Sequence, residues 1–224
     1  MAYRRTEKVA LRLAARHDAI IAAARTIAGE SGMAAVQIAP VAARAGIAAG
    51  TVYRYFPSKT EMVAALVAAV SAREIGAVRR AADAAPGPLS ALAAAIATFA
   101  ARALARRRLA WAVLAEPIDP DVASVRIAYR KALAAEVEVR LGAAIAARNL
   151  PEQDAALAAS ALVGALIEGL IGPLAPELPD DPVKARDAAQ MLTLLALRAL
   201  GVVDAHARGL VVQCAPPVVD DDAA

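Results

Sequence analysis

The chain has 224 residues, enough for one sizeable core or for a small module joined to a larger one. Its 65 alanines favour an all-α fold, and its one cysteine, Cys214, excludes an internal disulfide and a cysteine metal cluster. Mean hydropathy is +0.49, yet the longest apolar run, Ala155 to Ile167, stops at Glu168 and falls short of the roughly 20 residues a membrane span needs.

Charge is unevenly placed. Residues 1–60 hold nine Lys/Arg against three acids, whereas the remainder holds 16 against 19. A basic N-terminal module on a mildly acidic body points to a polyanion as its partner, the alternative being a solvated basic tail. Arg4, Arg5, Lys8, Arg12 and Arg16 interrupt every apolar run there, unlike a signal peptide, so a cytoplasmic protein without a membrane partner is expected.

Ile20, Ile21, Ala24, Ile27 and Ala28 recur at helical spacing and predict a first helix over about 8–31, with Gly29 and Gly32 at its end. A short second helix is predicted from about Ile38 to Ala45, with Pro40 tolerated in its first turn. Gly46 breaks it, and a third helix runs from about Ala49 to Phe56-Pro57. Ser58 reads as the N-cap of a long fourth helix, with Glu61 completing a capping box. After the break at Ala85-Pro86-Gly87-Pro88, helices are expected at about 89–107, 109–116, 120–148, 152–171 and 183–203. The count is nine. From His206 onward, Pro216-Pro217 and Asp220 to Asp222 suggest a frayed tail. The expected division is a basic N-terminal module over 1–60, a larger helical part over 61–205 and a flexible tail over 206–224.

Three of the seven aromatic residues fall between positions 53 and 56. Two short helices around a glycine turn form a helix-turn-helix, whose second helix enters the DNA major groove. Gly46 suits the tight turn because a Cβ resists positive φ. Ile38, Val41, Ile47, Val52 and Tyr55 can close a small core beneath the two helices, with Phe56 also turned inward. Gly50 lets backbone approach phosphate or base edges, while Thr51, Tyr53 and Lys59 offer donors to phosphate oxygens. Lys59 also sits beside a helix N-terminus. The alternatives are a half-buried Tyr53 packed on the first helix and an ordinary solvated Lys59.

The stretch Ile20 to Val67, and above all Gly50-Thr51-Val52-Tyr53-Arg54-Tyr55-Phe56-Pro57-Ser58-Lys59, resembles the DNA-binding domain of the TetR family of one-component regulators. The resemblance implies an N-terminal three-helix DNA-binding domain and a larger helical domain for ligand binding and dimerisation. It also implies a homodimer on a pseudo-palindromic double-stranded operator, released by a small-molecule effector, and therefore a repressor with no catalysis and no cofactor. Carried onto this sequence, the DNA-facing set is Gln37, Arg44, Ala48, Ala49, Gly50, Thr51, Tyr53, Arg54 and Lys59. Gln37, Pro40 and the Ala48-Ala49 pair depart from the family's usual residues and leave few long polar side chains for base readout. Specificity is therefore expected to lean on Arg44, Thr51, alanine contacts with thymine methyls, and DNA shape. The alternative is an all-helical small-molecule or lipid carrier with a vestigial DNA-binding part.

In the larger part, Met62, Phe99, Trp111 and Tyr129 are candidates to line an apolar effector cavity, with Glu116, Arg126 and Arg130 as its polar groups. For each, ordinary core packing or a solvated face is the competing reading. Arg106-Arg107-Arg108 reads as a helix end facing water. The helices near 152–171 and 183–203 are apolar almost all round, so each must be covered on more than one side. They are expected to form a four-helix dimer interface. No nucleophile–base constellation, metal motif or glycine-rich phosphate loop is present in the sequence.

Overall fold

The computed structural model describes residues 2–117, 120–178 and 181–214, with residues 2–8 described by their backbone only. It is all-α, with an N-terminal helix-turn-helix. The described residues form ten α-helices and one 3-10 turn, one helix more than the sequence predicts.

Helix α1 (Ala2–Ser31) is followed by a 3-10 turn (Met33–Ala35), α2 (Ile38–Arg44), α3 (Ala49–Tyr53) and α4 (Lys59–Asp83). The α2–α3 turn is local chemistry. Gly46 takes φ 65, Ile47 N–H donates to Ala42 O at 3.0 Å, and Gly46 N–H donates to Ala43 O at 3.2 Å. This paired closure of a helix C-terminus needs a left-handed residue. No atom lies within 4 Å of a Cβ built on Gly46, so a substitution there is penalised by backbone conformation alone. Gly46→Val is expected to cost about 1–3 kcal/mol in denaturant unfolding, and Gly46→Asn clearly less, since Asn tolerates this conformation. Equal losses would mean that side-chain contacts set the cost.

Ser58 caps α4. Its Oγ accepts from Glu61 N–H at 3.1 Å and donates to Glu61 Oε1 at 3.4 Å, so the carboxylate closes on the hydroxyl. One face of α4 buries Met62, Val63, Leu66, Val67 and Val70.

The body comprises α5 (Pro88–Ala105), α6 (Arg107–Leu114), α7 (Pro120–Ala146), α8 (Ala155–Leu170), α9 (Pro182–Ala199) and α10 (Asp204–Gln213). Ser90 steadies the start of α5, accepting from Gly87 N–H at 3.0 Å. Helix α5 is central and packs against α4, α7 and α9. Among the described residues it is the helix long and apolar enough to cross a membrane by length and composition, but 67% of that stretch is buried in the protein. Its alanines allow the close approach, as Ala93, Ala95 and Ala100 are all buried.

Two expectations need correction. Residues 206–213, read as the start of a frayed tail, lie in α10, which buries Ala207, Leu210 and Val211 and packs on α9. Asp204 begins this helix, accepts from Arg208 Nε at 2.9 Å and pairs with Arg198. These hydrogen bonds, Arg208's first and Arg198's second, hold its carboxyl below the usual range. Residues 215–224, including Pro216-Pro217 and Asp220 to Asp222, lie outside the described residues. Nor do Arg106-Arg107-Arg108 simply face water. They straddle the α5–α6 junction, Arg106 and Arg107 are half-buried, and Arg107 Nη2 donates to Pro176 O at 3.0 Å.

Candidate nucleic-acid interface and effector cavity

Helices α1, α2 and α3 form a compact unit around Ile20, Ala24, Ile27, Ile38, Val41, Ala42, Val52 and Phe56, all buried in one continuous core. Phe56 also lies against the His17 ring, with centroids 5.0 Å apart. Ile47 and Tyr55 pack on this core while remaining partly exposed. With Val52 and Phe56 turned inward, Ala48, Ala49, Gly50, Tyr53, Arg54 and Lys59 are exposed and Thr51 is half-buried. Tyr53 is 52% exposed, so its ring stands on the surface. No atom lies within 4 Å of a Cβ built on Gly50, which keeps the outer face of α3 low and open.

Two members of the expected set are held differently. Arg44 grips Glu30 through two bonds, Nη1 to Oε1 at 2.8 Å and Nη2 to Oε2 at 2.6 Å, bracing α2 against the end of α1. Gln37, at the α2 N-cap, makes no side-chain cap; its Nε2 donates to Ala34 O at 2.9 Å. Arg12 and Arg16 are exposed on α1, whereas the side chains of Arg4, Arg5 and Lys8 lie outside the described residues.

A cavity of about 110 Å³ opens between α4, α5, α6 and α7. Of the seven candidates, Phe99 and Tyr129 line it. Met62 is fully buried in the packing of α4, Trp111 is half-buried, and Arg130 is exposed. Arg126 instead closes the C-terminus of α6, its Nε donating to Val113 O at 3.0 Å and its Nη2 to Ala112 O at 3.1 Å. A cation at that end of a helix is favourably placed. Burial, reinforced by the neighbouring Arg130 charge, lowers its pKa, and Glu116 opposes the shift. Glu116 is a strut between the two parts, accepting from Met33 N–H at 2.9 Å, and a Cβ on Gly32 would lie 3.0 Å from its oxygens.

The polar heart of the cavity is a pair the sequence reading missed. Arg102 on α5 donates to Glu74 on α4, Nε to Oε2 at 2.6 Å and Nη2 to Oε1 at 3.1 Å. The two residues stand 28 positions apart on different helices, and no periodicity links them.

Residues 20–66 match the family model described as bacterial regulatory proteins, tetR family. The HTH-type transcriptional repressor KstR of Mycolicibacterium smegmatis is 48% identical over 48 residues, which are 21% of this chain and 24% of that protein. The match thus spans about a quarter of that relative's length. The fold is similar to RolR in complex with resorcinol, with TM-score 0.67 and 21% identity over 94% of this chain and 100% of that one. It is also similar to the transcriptional regulator FadR from Bacillus subtilis in complex with stearoyl-CoA, with TM-score 0.61 and 17% identity over 90% and 98% of the two chains.

Proposed function

We propose, from the premise that residues 20–66 belong to the tetR family of bacterial regulatory proteins, that the whole chain is a homodimeric, sequence-specific transcriptional regulator. Its operator is double-stranded and pseudo-palindromic, and a small molecule releases it, so it acts as a repressor on cytoplasmic DNA. The observation that carries this reading is the outward face of α3 and the start of α4, where Gly50, Tyr53, Arg54 and Lys59 are exposed over a closed core.

Within that face, Lys59 and Tyr53 meet phosphates, and Ala48, Ala49, Gly50 and Thr51 approach the base edges. Arg44, engaged with Glu30, positions α2, while Gln37 and Arg54 flank the groove. The functional division falls where α4 begins, with residues 1–60 for DNA and residues 61–205 for effector and dimer.

Dimerisation is supported by an unpartnered apolar face. On α8, Leu157, Ala161, Gly164 and Ala165 are exposed, and on the adjacent α9 so are Met191 and Leu195. Effector control is supported by α6, which supplies Leu109, Ala110, Val113 and Leu114 to the cavity and is followed at once by Glu116, the strut to Met33. A ligand acts only through different affinities for the two poses, so it must fit the cavity better when the strut geometry disfavours DNA. Among the similar folds, RolR was solved with resorcinol and FadR with stearoyl-CoA, which supports a small-molecule effector here.

A salt titration of duplex binding by fluorescence anisotropy tests the interface. Lys59→Ala should weaken all sequences alike and reduce the salt slope by about one unit. An unchanged slope removes Lys59 from the phosphate contacts. Tyr53→Phe should cost about 1 kcal/mol of binding by losing one hydroxyl bond. No loss would make Tyr53 a packing residue.

A further inference from the structure

The cavity is built for a narrower class of molecule than effector control requires. Its walls are Val70, Phe99, Leu109, Val113 and Leu114. At about 110 Å³ it is on the scale of the roughly 150 Å³ apolar cavity that accepts benzene. That size suits about one ring.

Four polar side chains line this space, Glu74, Arg102, Arg106 and Tyr129. Glu74 is held by Arg102 and both side chains are largely buried, yet a carboxylate has about four lone-pair positions and Arg102 does not use them all. Tyr129 is 2% exposed and lines the cavity. Burial raises the Tyr129 pKa, with Glu74 adding to the shift and Arg102 opposing it. The group therefore stays a neutral hydroxyl, able to donate one bond and accept another. A ligand hydroxyl beside it can take either role in return.

Resting on the effector reading above, we propose that the cavity takes a neutral phenol of about one ring. Its hydroxyl donates to Glu74 and accepts from Tyr129, while its ring lies among Phe99, Val113 and Leu114. A hydrocarbon of the same size makes neither bond. A small carboxylate would set its charge against that of Glu74, which Arg102 already holds. Arg106, half-buried in the wall, is the other cation an anion would seek.

Isothermal titration calorimetry on the full chain with phenol, toluene and benzoate decides between these. Phenol is expected to bind about tenfold more tightly than either of the others. Tyr129→Phe should bring phenol to within about twofold of toluene while leaving toluene and the helical circular dichroism unchanged. Should Tyr129→Phe fail to fold, Glu74→Gln serves instead and should weaken phenol but not toluene. Equal binding of toluene, tighter binding of benzoate, or no binding of phenol at millimolar concentration would each overturn the proposal. Because this titration contains no DNA, its failure is distinct from a failure of operator binding, which the salt titration reads.

Discussion

Replacing Met191 and Leu195 together by glutamate is expected to give a folded monomer that has lost specific operator binding. Both side chains lie on one face of α9, at 66% and 59% exposure, and Leu157 on the neighbouring α8 is 69% exposed. Exposed large apolar side chains on two adjacent helices are what an interaction site presents. In the proposed dimer, two-fold symmetry would bring each patch against its own copy, so every substitution would enter the interface twice. The double variant thus places four carboxylates in a surface that would otherwise lose water. Each unpaired buried charge costs several kcal/mol, and four of them together match or exceed the association free energy of a nanomolar dimer. A helix-turn-helix monomer reads a single half-site, and specific affinity falls with the second one. Sedimentation should show the monomer mass, circular dichroism should be unchanged, and anisotropy should retain only weak, salt-sensitive binding. A dimer that persists would move the interface elsewhere.

Two residues further along the same helix, the expected effect is on stability. Leu197 is fully buried where α9 packs on α5. Leu197→Ala should lower unfolding free energy by about 2–5 kcal/mol, from lost transfer energy plus the cavity left behind. Leu195→Ala, on the opposite face, should cost far less per folded chain and act instead on the dimer equilibrium. Urea unfolding at several protomer concentrations separates the two, because only association makes the midpoint depend on concentration. If Leu195→Ala lost as much as Leu197→Ala at every concentration, the assignment of faces on α9 would be wrong.

That contrast shows where the sequence runs out. Met191, Leu192, Leu194, Leu195 and Leu197 are equally apolar, so no periodic stripe separates the side facing α5 from the exposed side. Only the packed helices do so. The helix-turn-helix was legible because its determinants are local: Gly46 at positive φ, the Ser58 cap, and the inward spacing of Val52 and Phe56. Cavity chemistry was not, since Glu74 and Arg102 meet only when α4 and α5 pack. Glu116 and Arg126 were singled out for their charge, but that charge serves backbone groups at Met33 and at the end of α6. Helix α10 was hidden by the prolines and acids that follow it, while its own stability comes from burying three side chains and from Asp204 at its first turn.

A dimer reading two half-sites is tested by selecting bound duplexes from a random DNA pool with the purified protein at about 150 mM salt, where nonspecific binding is weak. The expected result is enrichment of a pseudo-palindrome whose half-site centres lie about one helical turn or a whole multiple of it apart. Enrichment of isolated half-sites without a spacing rule, or of no sequence at all, would contradict it.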